Sequence, residues 1–346
     1  MRHTRLTHFV IAILALLTGA AHAFETEGRQ VYGPGTAAQM LKVISTADKE
    51  AFEPIIKGFQ AVYPGVTVDY TIASSTEVMK AIYDEGAPFD LVISSAMDLQ
   101  TKIANDGYAR SYSSAQTDSL PAWAKWRDQV FAFTQEPAVV VVSERFFDKT
   151  PIPENREELI GLLRDHPDRF RGRVGTYDVR TSGLGYLFAT QDSRNSESFW
   201  RLTEVMGSLD ARLYCCSSDM ISDVADGKLA VAYNVLGSYA EGRLPQTTGV
   251  RIVELNDFLS VMLRSALIPT TAQNLGPAQA MIDYLVTLNT RPAEALRSGL
   301  PPIDEAQLAA NNAMRPIRLG PGLLVFLDRL KRETFLRSWS NAILQQ

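Results

Sequence analysis

Apolar residues recur along the chain with two different spacings, and the two spacings alternate. The short, mostly apolar segment LKVIST, which starts at Leu41, predicts a β-strand. The segment after it has apolar residues three and four positions apart, as on one face of a helix, namely Phe52, Ile55, Ile56, Phe59 and Val62. Pro64 and Gly65 are expected to end this helix.

The same alternation continues through the chain. The segments VTVDYTIA and DLVISS predict strands, and the helical patterns after them end at Gly86 and Gly107. In the second half, Ala138 to Val142 is the most strand-like run, and further strands are predicted in GRVGTYDV and KLAVAYNV. The last segment, GPGLLVFLDRLKRETFLRSWSNAILQQ, predicts a long amphipathic helix. Strands that alternate with helices predict an α/β fold of mostly parallel sheets covered by helices.

Small polar residues follow the predicted strands at the point where each strand gives way to a helix. The clusters are Ser45 and Thr46; Ser74, Ser75 and Thr76; Ser94 and Ser95; and Arg180, Thr181, Ser182 and Gly183. In parallel sheets these junctions lie at one edge, where ligands bind, and unpaired N–H groups at helix starts favour anions. Helix capping alone is the alternative explanation of any one cluster. Because one cap per helix suffices, the repeated hydroxyls together predict a polar cleft.

Two further groups are candidates for the same cleft. Arg180 stands at a strand end before Gly183, and a guanidinium suits carboxylate or phosphate recognition; a surface ion pair is the alternative. Tyr233 and Asn234 end another strand and are candidates to cover and bind a ligand. A half-buried tyrosine beside a turn asparagine explains them equally well.

The N-terminal segment has the pattern of a secretory signal. Arg2 and Arg5 precede an apolar stretch from Phe9 to Leu17, and Ala21-His22-Ala23 fits a cleavage site. We therefore expect residues 1–23 to be a signal peptide and the mature protein to be periplasmic. Without Arg2 and Arg5 the chain has 34 − 2 = 32 basic and 39 acidic residues, a net charge of −7. That charge argues against nucleic acid as a partner.

Histidine and cysteine usage limits the chemistry. His166 is the one histidine outside the predicted signal peptide, and its flanks suggest a surface loop. A histidine-rich metal site is therefore excluded, and we predict no catalytic residues, no metal ligands and no cofactor. Cys215 and Cys216 are adjacent. A vicinal disulfide and a pair of free thiols are equally compatible with the sequence.

From about Leu41 to Ile343 the chain resembles the type II periplasmic solute-binding proteins of ABC-type uptake systems. The resemblance is carried by the opening LKVISTADKEAFEPIIKGFQAVYPGVTVDY, by DLVISSAMDLQTKIANDGYA, FTQEPAVVVVSERFF and KLAVAYNVLGSY, and by the return ALIPTTAQNLGPAQAMIDYLVT. These segments are most similar to those of phosphoglycerate transport regulatory proteins, which belong to a branch that also includes iron(III)-binding and sugar-phosphate-binding proteins.

The resemblance implies a two-lobed fold with two hinge crossovers. After a leader at 24–39, lobe one would comprise residues 40–137 and 265–346, and lobe two residues 138–264. It also implies a monomer that captures a small-molecule ligand between the lobes and delivers it to an ABC permease, or signals to a membrane sensor kinase.

A phosphorylated or carboxylated organic anion fits the polar clusters best. Ferric iron is the alternative ligand. The iron-binding members of the family use two adjacent tyrosines, whereas here Tyr233 is followed by Asn234, so the match is poor. The residues predicted to bind the ligand are Ser45, Thr46, Ser75, Thr76, Ser94, Ser95, Arg180, Thr181, Ser182, Gly183, Tyr233 and Asn234.

Overall fold

The computed structural model describes residues 23–33, 39–147, 150–243 and 248–345. Residues 1–22 of the predicted signal peptide lie outside the described residues. The strands are β1 Gly28–Tyr32, β2 Gln39–Ser45, β3 Val66–Ile72, β4 Leu91–Ser94, β5 Lys125–Trp126, β6 Val130–Ala132, β7 Glu136–Ser143, β8 Val174–Tyr177, β9 Arg212–Tyr214, β10 Val231–Leu236, β11 Val250–Val253, β12 Leu259–Met262, β13 Ser265–Leu267 and β14 Met314–Pro316.

Helices connect most of these strands, as the alternating pattern predicts. They are α1 Lys49–Val62, α2 Ser75–Tyr83, α3 Met97–Asn105, α4 Ala115–Asp118, α5 Arg156–Asp165, α6 Pro167–Phe170, α7 Gly183–Asn195, α8 Ser198–Ser208, α9 Ser217–Ala225, α10 Gly237–Arg243, α11 Leu275–Val286, α12 Pro292–Ser298, α13 Glu305–Ala310 and α14 Arg329–Leu344. Short 3-10 helices occur at Glu144–Phe146, Leu288–Thr290 and Pro321–Leu327. No helix in the described part of the chain has both the length and the apolar composition needed to cross a membrane.

The strands form two sheets, and each sheet is the centre of one lobe. The first has the order β1-β3-β2-β4-β13-β6-β5, and the second has the order β14-β12-β7-β10-β8-β9, with β11 also paired to β7. Strand β2 runs parallel to both β3 and β4, whereas β13 is antiparallel to β4 and β6. The carboxyl ends of β2, β3 and β4 therefore lie at one edge of the first sheet.

Each sheet is covered by helices whose apolar faces match the sequence pattern. In α1, Phe52, Ile55, Ile56 and Phe59 are buried against the first sheet, as the helical spacing predicts, while Val62 is exposed. In the second lobe the buried face of β7, at the centre of its sheet, packs with α5 and α8. Removal of these apolar side chains from water stabilises each lobe.

Three passages of the chain join the lobes. Residues 133–135 connect β6 to β7, residues 263–264 connect β12 to β13, and a third passage at residues 299–313 leads from α12 to β14. The resemblance implied two crossovers and assigned residues 265–346 to lobe one. Instead, β14 pairs with β12 in the second sheet, and Phe335 and Trp339 of α14 pack in the core of the second lobe.

The predicted leader also differs from the structure. Residues Gly28–Tyr32 form β1, an edge strand paired antiparallel with β3, and Gln39 already belongs to β2. Arg29 pairs with Asp69 through two hydrogen bonds of 2.7 and 2.6 Å. Glycine and glutamate weaken the strand pattern of this segment, so its pairing with β3 is not visible from local sequence.

Candidate functional site

A cavity of about 90 Å³ lies between the two lobes. It is formed where the carboxyl ends of β2, β3 and β4 face the starts of α7 and α9. Its lining residues are Glu27, Thr46, Asp48, Ala73, Ser74, Ser75, Ser95, Tyr177, Thr181, Ser182, Leu184, Cys215, Cys216, Ser217, Ser218, Leu236, Tyr239 and Arg264. Ten of these 18 residues carry a hydroxyl group.

Hydroxyl groups of the first lobe are connected by hydrogen bonds beside the cavity. The hydroxyls of Thr46 and Ser95 lie 3.3 Å apart, and the backbone N–H of Ser95 donates to Thr46 Oγ1 at 3.1 Å. These bonds hold the ends of β2 and β4 together. Ser74 accepts a hydrogen bond from the backbone N–H of Glu77 and so caps α2, as the capping pattern predicts.

Direct hydrogen bonds between the lobes hold the cavity closed. The backbone N–H of Gly183 donates to Ser75 Oγ at 3.1 Å. On another side, the backbone N–H of Asp48 donates to the Tyr239 hydroxyl at 3.1 Å, and the Ser218 hydroxyl donates to the Asp48 carboxylate at 3.0 Å. The structure is therefore a closed form of the two-lobed protein.

The second lobe contributes a vicinal disulfide to the wall. Cys215 and Cys216 are joined, which decides between the two alternatives that the sequence left open. The Ser182 hydroxyl donates to the Cys215 carbonyl at 3.0 Å, and Cys216 is the residue that precedes α9. Asp219 lies close to the two sulfur atoms. Because thiolates rather than disulfides bind metal ions, the joined cysteines do not make this group a metal site.

The guanidinium at the cavity belongs to Arg264, in the passage between β12 and β13. Arg264 and Glu136 are both fully buried, and Arg264 Nε and Nη2 donate to the two carboxylate oxygens at 2.9 and 3.1 Å. Arg264 Nη1 reaches Thr46 Oγ1 at 3.4 Å. Glu136 also accepts hydrogen bonds from the hydroxyls of Thr134 and Ser238. This ion pair links the first residue of β7 to the passage between β12 and β13.

Two tyrosines of the second lobe also line the cavity. Burial raises the pKa of Tyr239 to about 12, and burial likewise raises the pKa of Tyr177. Both are therefore neutral hydroxyls at physiological pH. The Tyr177 hydroxyl is hydrogen-bonded to Ser217 Oγ. The Tyr239 oxygen accepts the N–H of Asp48, so its own O–H is free to donate to a ligand.

Acidic residues lie at one side of the same cavity. Glu27 is exposed at its mouth, yet partial loss of hydration raises the pKa of its carboxyl group, and the negative charges of Asp48 and Asp219 raise it further. Glu27 makes no hydrogen bond or ion pair through its side chain with another described residue. Sequence reasoning placed Glu27 in a loose leader and therefore did not consider it.

Five predicted site residues line the cavity, and the others do not. Those that line it are Thr46, Ser75, Ser95, Thr181 and Ser182. Gly183 lies just behind the wall. Ser45 and Ser94 are buried and accept hydrogen bonds from the backbone two residues ahead. Thr76 pairs with the Ser74 hydroxyl.

Arg180 lies outside the cavity wall. Its Nε and Nη2 donate to the Asp178 carboxylate at 2.8 and 2.7 Å, which is the surface ion pair named as the alternative. The guanidinium is therefore paired with Asp178 and does not line the cavity, where the sequence predicted that it would bind an acidic group of the ligand.

Tyr233 and Asn234 also lie away from the cavity. Both are buried in the second lobe and donate to the Asp192 carboxylate, each at 2.8 Å. Arg156 donates to the Tyr233 hydroxyl at 2.8 Å and to Asp257 at 2.9 Å. These residues form a buried polar network that stabilises the lobe. Asn234 has φ 63°, a left-handed conformation that asparagine tolerates.

The site residues predicted from the sequence did not include the ionisable groups that line the cavity or support it. Arg264 interrupts the apolar run LSVMLRSAL, and Glu136 is the first residue of the otherwise mostly apolar β7. A charged residue inside a buried strand pattern is a usable signal, because such a group is rarely buried unless it is paired. Tyr239 and Glu27 carry no comparable signal, since loops and helix starts often contain such residues.

Residues 41–293 match the family described as bacterial extracellular solute-binding protein. A substrate binding protein of an ABC transporter from Agrobacterium tumefaciens is 32% identical, with a TM-score of 0.87 over 91% of this chain and 98% of that chain. No curated protein sequence matches significantly.

Two more distant solved structures share the fold. AfuA from Actinobacillus pleuropneumoniae, with fructose-6-phosphate bound, is 14% identical, with a TM-score of 0.73 over 89% of this chain and 99% of that chain. Iron-bound HitA from Pseudomonas aeruginosa is 15% identical, with a TM-score of 0.67 over 88% of this chain and 99% of that chain. The similarity confirms the two-lobed α/β fold expected from the sequence.

Proposed function

We propose, from the premise that this chain belongs to the family of bacterial extracellular solute-binding proteins, that its cleft captures a small solute with an acidic group and delivers it to an ABC permease. The acidic group would be a phosphate, phosphonate or carboxylate. The observation that carries the proposal is the convergence of helix starts, hydroxyls and Arg264 on one cavity between the lobes. The protein would act in the periplasm after removal of residues 1–23.

The starts of four helices supply the anion-binding groups. Helices α2, α3, α7 and α9 each begin at or next to a residue of the cavity wall: Ser75, Ser95, Ser182 and Ser217. The first N–H groups of a helix have no partner within it, and each helix start carries about half a positive charge. The N–H groups of Glu77, Gly183 and Gly185 already donate to serine hydroxyls, so an acidic group in the cavity would be bound by the remaining N–H groups and by the neighbouring hydroxyls.

Arg264 adds a guanidinium group whose charge is balanced by Glu136. Its pairing with Glu136 fixes the guanidinium, while Nη1 faces Thr46 at the cavity wall. Because Arg264 is fully buried, a charged hydrogen bond from its guanidinium to a ligand is stronger than in bulk solvent. The Tyr239 hydroxyl, kept protonated by burial, is a further donor.

The volume of the cavity limits the ligand to a compact solute. A cavity of about 150 Å³ in another protein holds benzene, and this one is about 90 Å³. A hexose phosphate is larger than benzene, so the closed form would have to widen to admit the ligand seen in AfuA. Small phosphonates and carboxylates fit the closed cavity best.

Closure of the lobes would report the bound state to a membrane partner. The Ser75–Gly183 and Asp48–Tyr239 contacts exist in the closed form, and hinge motion at the three passages would break them. A sensor kinase is the alternative reader. Loss of uptake of the labelled ligand in a strain lacking this protein supports a permease, whereas unchanged uptake with a lost transcriptional response supports a kinase.

A thermal-shift panel tests the proposal. It would contain phosphonates, phosphoglycerates, sugar phosphates, di- and tricarboxylates and ferric citrate, with calorimetry of every positive compound. A ligand at 100 times its Kd should raise the free energy of unfolding by about 2.7 kcal/mol. Arg180→Ala is a matched control, because Arg180 lies outside the cavity wall, and it should retain the shift. A response to ferric citrate alone would contradict the proposal.

A further inference from the structure

Glu27 and Asp48 have no role in binding an anion, yet both line the cavity. Asp48 accepts one hydrogen bond from Ser218, and the Glu27 carboxylate has no hydrogen-bond or ion-pair partner among the described residues. Glu27 is exposed at the mouth and its carboxylate stays hydrated, but a cationic group of a ligand in the cavity would stabilise both carboxylates. Their presence in the wall is unexplained by the proposed function alone.

Groups of both charge signs surround the cavity. Arg264 is neutralised by Glu136, which leaves Glu27 and Asp48 with a total charge of −2. The starts of α2, α3, α7 and α9 add partial positive charge at the same cavity. A ligand with no net charge, but with separated positive and negative groups, matches this field better than a bare anion does.

We propose that the ligand carries a cationic amino group in addition to its acidic group, with the amine facing Glu27 and Asp48 and the acid facing Arg264 and the helix starts. This inference rests on the proposed function and names its substrate class, a compact zwitterion such as an amino acid with a short chain or an aminoalkylphosphonate. The acid-to-amine distance must be short, because the cavity has a volume of about 90 Å³.

The acidic pair also predicts a pH dependence of the preference. A bound ammonium group stabilises the carboxylate of Glu27, whose pKa is raised in the closed form by partial loss of hydration and by the negative charges of Asp48 and Asp219. The affinity for an amino ligand should therefore fall as the pH drops through the pKa of Glu27. The affinity for the matching ligand without an amine should not fall in this range for the same reason.

Matched pairs of ligands test the inference by calorimetry at pH 7.5. The pairs are aminomethylphosphonate with methylphosphonate and β-alanine with propanoate. In the wild-type protein the amino member of at least one pair should bind at least 10-fold more tightly. Glu27→Gln should reduce this ratio toward one and leave or increase the affinity for the other member.

Glu25→Gln is the control, because Glu25 lies in the same segment, has the same charge and does not line the cavity. It should preserve the ratio. Equal binding of both members, including no binding of either, overturns the amine subsite; so does a ratio that Glu27→Gln leaves unchanged. If another anion of the panel still binds, the proposed function stands. If no anion binds, both proposals fail.

Discussion

The ion pair between Arg264 and Glu136 allows stability and ligand binding to be separated by mutation. Both residues are fully buried, so Arg264→Met leaves the Glu136 carboxylate without its charged partner. Breaking a buried ion pair in this way costs about 3–5 kcal/mol. Glu136 keeps the hydroxyls of Thr134 and Ser238, so the lower end, about 3 kcal/mol, is expected. For a cooperative unit of 150–250 residues this lowers Tm by about 6–12 °C.

The double variant Arg264→Met/Glu136→Gln should recover most of the stability. Glutamine can accept the hydrogen bond from Thr134 and donate to the oxygen of Ser238, whose hydroxyl can rotate. We expect the free energy of unfolding to return to within about 1 kcal/mol of wild type, since replacing both partners is often nearly neutral. Urea denaturation of the three proteins measures this. Ligand affinity should stay about 10- to 100-fold lower in both variants, because a charged hydrogen bond is lost.

Arg156→Met provides the matched control. Arg156 is also buried, pairs with Asp257 and contacts Tyr233, but it does not line the cavity. It should destabilise the protein while leaving the ligand Kd within about 2-fold, as expected for a site without shared partners. Wild-type affinity in the double variant would refute the role of Arg264 in binding. An Arg264→Met protein as stable as wild type would refute the energetic argument.

Three other changes have expected outcomes. Burial raises the pKa of Asp98 to about 7, so the folded state keeps a proton that the unfolded state releases near pH 4. The free energy of unfolding of the wild-type protein should therefore decrease as the pH rises from about 4 to about 7. Asp98→Asn should therefore gain stability relative to wild type as pH rises, by at most about 4 kcal/mol at pH 8 in urea denaturation; a pH-independent difference would contradict this. A Cβ on Gly183 would lie 2.6 Å from a hydroxyl of the opposite lobe, so Gly183→Ala should open the cleft and weaken binding. The opening should appear as a larger radius of gyration in X-ray scattering. Gly161→Ala, which has open space around it, should change neither the radius of gyration nor the binding. Reduction of Cys215–Cys216 frees backbone at the cavity wall and should weaken binding about 5- to 30-fold, and an unchanged Kd after verified reduction would refute this.

Local sequence patterns determined which segments become strands and helices and where several hydroxyls of the cavity wall lie. The apolar face of α1, the cap of α2 and the hydroxyls Thr46, Ser75, Ser95 and Ser182 all follow from short-range rules. Those rules work because side-chain periodicity and capping involve residues a few positions apart. The edge of the sheet that carries the site follows from the same alternation.

Tertiary structure alone decided which charged groups meet at the cavity and which lobe holds each terminal element. Arg264 and Glu136 are 128 positions apart, and the apolar face of α14 predicts burial without saying against which lobe. Arg180, in contrast, forms an ion pair with Asp178, two residues away in sequence, and does not line the cavity. Whether two charged groups form a pair depends on the distance between them in space, and that distance is determined only by the tertiary structure. Hydrophobic periodicity, in contrast, is a property of residues close together in sequence.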